Sequence, residues 1–135
     1  MRVPVIQTIL LVEDDPDLAE LYQLQLQRAG YKVRLAETAQ AALRQLERRP
    51  PQAIILDMLL PEYNGLGILH EMRSYDDWRT IPVVILSNIP ARELGVTEYT
   101  LQQLGIARYL EKAHTSGSQL VATLKAVLTP KPIRS

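Results

Sequence analysis

Residues 8–21 read TILLVEDDPDLAEL: five apolar or β-branched residues that stop abruptly in three consecutive carboxylates, Glu13, Asp14 and Asp15. A near-continuous apolar run of this length is what a strand covered on both faces requires. The residues after it signal a helix, because Asp15 can accept from free N–H groups of a first turn and Pro16 has no N–H to lose there. Gly30 follows Ala29, where a glycine would stop that helix. The same order then recurs along the chain. Apolar or β-branched segments lie at 31–36, 53–56, 82–86 and 106–110. Helical periodicity falls between them, as in Ala39, Ala42, Leu43 and Leu46 behind a Thr38 cap, and in Leu120, Val121, Leu124, Val127 and Leu128 behind Ser116 or Ser118. These stripes are read as core faces. The stretch 91–104 has the weakest helical pattern, since Gly95, Val96, Thr97 and Thr100 are poor helix formers.

A strand–helix unit repeated five times predicts a parallel sheet with helices on both faces, because each parallel connection needs a right-handed crossover. In such sheets ligands sit beyond the carboxyl ends of the strands, where the winding reverses. Glu13, Asp14 and Asp15 are placed at such an end.

The bulk composition narrows the function classes. With 135 residues the chain has the size of one domain able to bury a core without staples, and no internal repeat divides it. It contains no cysteine, which excludes disulfides, thiolate metal sites and cysteine nucleophiles. Fifteen Lys and Arg balance fifteen Asp and Glu, so the electrostatic footprint of a nucleic-acid-binding domain is missing and no direct nucleic acid binding is expected. No apolar run is long enough for a bilayer, and Pro4 and Gln7 interrupt any signal-like start, so no membrane association and a cytoplasmic location are expected. Residues 129–135, TPKPIRS, read as a tail or the start of a linker.

The third strand, Ala53-Ile-Ile-Leu56, also ends in acid, at Asp57. If strands one and three are neighbours, Glu13, Asp14 and Asp57 converge at one rim about 5 Å apart. Clustered carboxylates repel unless a cation relieves them. An all-oxygen set without His or Cys suits a hard ion, and so few protein ligands favour Mg2+ with several waters over a caged Ca2+. Asp15 is better explained as a helix cap than as a ligand. Ser87 ends the fourth strand and Lys112 follows the fifth. Together they would complete a phosphoryl pocket, one donating a hydrogen bond and the other neutralising charge. His70 and His114 have no partner at ligand spacing and are assigned no chemistry. Tyr75 and Trp78 are expected to cover the end of the third helix.

These residues resemble the receiver domain of two-component response regulators, over roughly 8–128 of a single domain spanning 1–135. Leu11-Val-Glu-Asp-Asp15 looks like the family's acidic pair. Asp57-Met-Leu-Leu-Pro61 with Gly65 looks like its phosphoacceptor segment, the most specific of the motifs. Ser87 matches the switch hydroxyl, Lys112 the family lysine, and Tyr109 the switch aromatic, although packing alone would also explain an aromatic on an edge strand. The resemblance implies a flavodoxin-like doubly wound (βα)5 fold with a five-stranded parallel sheet of order 2-1-3-4-5. It implies that Asp57 accepts a phosphoryl group from a histidine kinase or a phosphotransfer protein. Mg2+ would be held by Glu13, Asp14, Asp57 and the backbone carbonyl of Leu59. Ser87 and Tyr109 would then switch a binding face for a downstream protein or a fused effector domain. Such a chain assists its own phosphorylation and dephosphorylation and is not a turnover enzyme. A homodimer through the fourth helix, fifth strand and fifth helix stays open.

Three departures carry expectations of their own. Asn88 stands where the family has a very small residue, which alters access to Asp57. Ala113 stands where the family has a cis proline; a cis bond before alanine costs roughly 3 kcal/mol, so a trans link and a displaced Lys112 are expected. The span from Ser87 to Lys112, with Pro90 inside it, is a few residues long. Two alternatives follow. One is a pseudo-receiver adaptor that binds partners without efficient phosphorylation. The other is a Mg2+-dependent hydrolase of the aspartyl-phosphate type, which would need a substrate-binding cap that the chain has no residues to spare for.

Overall fold

The computed structural model describes residues 5–60 and 63–129. Pro61 of the phosphoacceptor segment and residues 130–135 of the tail lie outside them. The first unit forms as its sequence signals: β1 (Thr8–Val12) leads into α1 (Pro16–Arg28), whose N-cap Asp15 accepts from the N–H groups of Asp17 and Leu18. Gly30 follows the C-cap Ala29 with φ 98°, a left-handed turn that glycine makes without strain. Then come β2 (Lys32–Ala36), α2 (Ala39–Arg48) capped by Thr38, and β3 (Ala53–Leu56), all four of whose residues are buried.

Between Asp57 and the third major helix lies a feature absent from the sequence reading. Two-residue strands β4 (Leu59–Leu60) and β5 (Tyr63–Asn64) pair antiparallel before α3 (Gly65–Arg73). The chain continues with β6 (Val83–Ser87), a 3-10 turn (Ala91–Leu94) and α4 (Glu98–Gln103). It ends in β7 (Ile106–Glu111), a 3-10 turn (Lys112–His114) and α5 (Gly117–Leu128). The weak helical pattern over 91–104 resolves into two pieces: Gly95 turns left-handed at φ 69°, and Thr97 restarts the helix as an N-cap accepting from the Thr100 N–H. Ser116 caps α5 through a reciprocal capping box with Gln119.

The main sheet has the order β2-β1-β3-β6-β7, every pair parallel. Set the small hairpin aside and this is the expected order 2-1-3-4-5, with β6 and β7 as the fourth and fifth strands. Alternate residues of the inner strands feed opposite layers, as a period of two requires. Leu10, Val12, Ile54, Leu56, Val83 and Ile85 pack with α2 and α3, whereas Ile9, Leu11, Ile55, Val84 and Leu86 pack with α1 and α5. Trp78 is buried in the first layer and meets the half-exposed Tyr75 just beyond α3, with ring centroids 4.7 Å apart and planes tilted by 51°. Both faces being apolar, polar side chains can gather only at the strand ends. No described helix is long and apolar enough to cross a membrane.

Candidate phosphoryl-acceptor site

The ladder continues one residue past the apolar runs. The Glu13 N–H donates to the Ala36 carbonyl and the Asp57 N–H to the Val12 carbonyl, each at 3.0 Å, so both acids leave the sheet at the same rim. A carboxylate oxygen from each of Glu13, Asp14 and Asp57 falls within 4.8 Å of the others. Glu13 and Asp57 are 2% and 5% exposed, while Asp14 is open to solvent. Residues 44 positions apart in the sequence are therefore brought together by the parallel pairing of β1 and β3.

The Lys112 ammonium bridges the two buried acids, at 2.6 Å from Glu13 Oε1 and 3.1 Å from Asp57 Oδ2. This corrects one part of the expectation drawn from Ala113, the displacement of Lys112. The described residues contain no cis peptide bond, yet Lys112 is not displaced. The short 3-10 turn that begins at Lys112 brings its side chain back over the rim, where the charge pair holds it. Burial pushes the Glu13 carboxyl up to about 7; Lys112 opposes that shift and Asp57 adds to it. Burial also works against the Lys112 charge, but its hydrogen bonds to Glu13 and Asp57 outweigh it and raise its pKa. Glu13 Oε2 further accepts the Asp14 N–H at 3.1 Å, which fixes the carboxylate in place.

These groups line a cleft of about 240 Å3 together with Asp15, Leu18 and Asn88. Asn88 lines the same cleft as Asp57. Asp15 shares the cleft wall, but its Oδ1 is engaged by the first turn of α1, at 2.9 Å from the Asp17 nitrogen. Ser87 is the last residue of β6. It is fully buried and is not among the cleft's lining residues; its hydroxyl oxygen accepts the Ile89 N–H at 3.1 Å. Tyr109, half-buried on β7, donates its hydroxyl to the Ile89 carbonyl at 2.5 Å. Burial raises the Tyr109 pKa, and a hydrogen bond with Ser87 partly offsets this. Ser87, Ile89 and Tyr109 therefore form one connected unit behind Asp57. Leu59 opens β4 two residues beyond Asp57. His70 is exposed on α3, and His114 is exposed with Nε2 3.7 Å from the Glu111 carboxylate.

Chemically, three carboxylates against one ammonium leave an excess of negative charge at a half-sheltered rim. That donor set, all oxygen with Asp14 open to solvent, fits Mg2+ or a similar hard cation.

The family model for the response regulator receiver domain matches residues 9–125. The transcriptional regulatory protein KdpE of Mycobacterium tuberculosis (strain CDC 1551 / Oshkosh) is 30% identical over 111 residues, 77% of this chain and 48% of its own length. The chain thus spans about half the length of that relative. Among solved structures, a sensor protein from Polaromonas sp. JS666 is 33% identical with TM-score 0.80, over 90% of this chain and 95% of that one. The signal receiver domain of a signal transduction histidine kinase from Syntrophus aciditrophicus is 28% identical with TM-score 0.77, over 90% and 89% of the two chains.

Proposed function

Given that the chain belongs to the receiver domain family of response regulators, we propose that it is the phosphoacceptor of a two-component system, with Asp57 as the residue that is phosphorylated. The observation carrying this reading is the convergence of Glu13, Asp14, Asp57 and Lys112 on one cleft at the carboxyl ends of β1 and β3. A carboxylate oxygen of Asp57 attacks the phosphorus of a kinase or phosphotransfer-protein phosphohistidine; the P–N bond breaks and the imidazole leaves. Lys112 neutralises the phosphoryl oxygens from the side on which it already holds Asp57. Glu13, Asp14 and Asp57, with the Leu59 carbonyl, would hold Mg2+, which supplies charge neutralisation for the transferring group when bound.

Ser87 and Tyr109 are the switch in this reading. The Ser87 hydroxyl, now engaged with Ile89, turns toward the phosphoryl oxygens and releases its neighbours, and Tyr109 loses the Ile89 carbonyl as an acceptor. The equilibrium of the surface formed by α4, β7 and α5 shifts accordingly. That surface is read by a downstream protein or a fused effector domain. The chain acts in the cytosol as one receiver unit over about 8–128, and it has no turnover substrate of its own.

The direct test is Asp57→Asn. Incubated with a phosphorylated histidine kinase and Mg2+, the variant is expected to incorporate no phosphoryl group while its far-UV circular dichroism matches the parent's. Labelling that survives the substitution places the acceptor elsewhere and overturns the assignment.

A further inference from the structure

Arg73, the last residue of α3, sits at the rim opposite the acid cleft and has no carboxylate partner among the described residues. All of its donors are nevertheless used, by backbone carbonyls. Nε donates to Leu104 at 2.7 Å, Nη1 to Trp78 at 3.0 Å and Arg79 at 2.8 Å, and Nη2 to Ile81 at 3.2 Å and Gly105 at 3.1 Å. A guanidinium has five N–H donors in a fixed planar fork, so this set of five acceptors saturates it. Gly105 fits the arrangement twice. Its φ of 65° is left-handed, and a Cβ there would stand 2.8 Å from Arg73 Nη2.

The acceptors belong to two segments that are not adjacent in sequence: the α3–β6 loop and the turn joining α4 to β7. Arg73 makes them one piece. Leu104 and Ile106, flanking the turn, are buried in the core layer. Among the described residues, the opposite end of α4 lacks a comparable set of side-chain hydrogen bonds, although Leu94 and Leu101 pack partly buried on the same layer. From Asn88 to Gln103 only Val96 is buried, and Ile89 is tied by the two switch side chains, Ser87 and Tyr109.

We propose that Arg73 is a positioning residue of the switch. By fixing the α4–β7 turn it makes Leu104–Gly105 the pivot of the responsive face, so that a signal at Asp57 displaces Ile89–Gln103 and leaves Leu104–Ile106 in place. The inference rests on the phosphoacceptor reading and adds the location of the hinge. A force released at Ile89 reaches a segment held at one end by apolar packing alone and at the other by packing plus the Arg73 hydrogen bonds, and such a segment rotates about the more firmly held end rather than translating.

The test uses the full chain with Mg2+, with and without beryllofluoride as the phosphoryl mimic, read by amide NMR shifts and hydrogen exchange. In the parent, shifts over Ile89–Leu101 are expected to exceed those over Leu104–Ile106 severalfold. Arg73→Lys keeps the charge but loses the planar fork. It is expected to spread the shifts into Leu104–Ile106 and to speed amide exchange there by about tenfold or more, with Mg2+ affinity within about twofold of the parent. A purely structural role would lower stability without redistributing the response. Equal shifts at both ends of α4 in the parent, or an unchanged distribution in Arg73→Lys, overturn the pivot while leaving the phosphoacceptor reading intact. If Arg73→Lys does not fold, the parent's map decides alone. No response anywhere in the parent overturns both.

Discussion

Glu13 is a buried carboxyl pulled in two directions, and its balance gives the site a pH dependence opposite to that of most surface acids. Its folded pKa, about 7, lies above the ordinary 4.5, chiefly through burial. The folded chain therefore binds more protons than the unfolded one between those values. A raised carboxyl contributes stability that is complete below the unfolded pKa and is lost as pH climbs through the folded one. Glu13→Gln carries no such titration. In EDTA, the stability of Glu13→Gln relative to the parent is expected to rise from pH 4.5 to 8, measured by urea denaturation at each pH. A flat difference would mean that Lys112 keeps Glu13 ionised throughout. Residue placement was legible in the sequence where it depended on position along a strand: Asp57 and Glu13 end apolar runs, and the pairing of those runs does the rest. It was not legible where it depended on a rotamer. Ser87 ends β6 as expected, but which way its hydroxyl turns is decided by the Ile89 N–H, and nothing in the composition announces that. Lys112 shows the converse case. A local rule about the residue after it pointed to displacement, and two charged hydrogen bonds overrode the rule.

At the scale of elements, caps decide which acids are free for chemistry. Asp15 lies on the wall of the cleft, yet its carboxylate closes the first turn of α1. Asp15→Ala is therefore expected to cost about 1 kcal/mol of stability while changing Mg2+ affinity by less than about threefold, measured by denaturation and by titration of the metal. A large loss of affinity with little loss of stability would make Asp15 a ligand instead. The strong helices were readable because cap, stripe and stop agree, as in Thr38 with α2 and Ser116 with α5. The region around α4 was readable only as weak. Its division at Gly95 and Thr97 follows from poor propensity, but the placement of the break comes from Val96, whose burial pins the chain between the two pieces. The β4–β5 pair was not readable, since two-residue strands have no period to detect. Arg73 was missed for a related reason: a cation at a helix end ordinarily reads as a solvated side chain, and its five acceptors come from segments that only the tertiary fold assembles.

For the whole molecule, the two apolar layers and the acid rim are linked by one constraint. Strands buried on both faces leave polar chemistry only at their ends, and the parallel order brings the ends of β1 and β3 side by side. The acid cluster consequently exists in the folded chain and not in the unfolded one, where Glu13 and Asp57 are 44 residues apart in sequence. A ligand that binds only the folded state stabilises it by mass action, by about 2.7 kcal/mol at a concentration one hundred times its dissociation constant. Saturating Mg2+ is therefore expected to raise the unfolding free energy by roughly this amount over EDTA at matched ionic strength, and Asp14→Asn to remove most of the rise. Because Asp14 is exposed and caps no helix, its substitution leaves the core and the ladder untouched, so a lost response can be assigned to the rim. Sodium at the same ionic strength must not reproduce the effect, since general screening would act on all thirty charged side chains alike. Equal stabilisation by both salts would show that the carboxylates merely repel and hold no ion, and would remove the physical basis for phosphoryl transfer at Asp57.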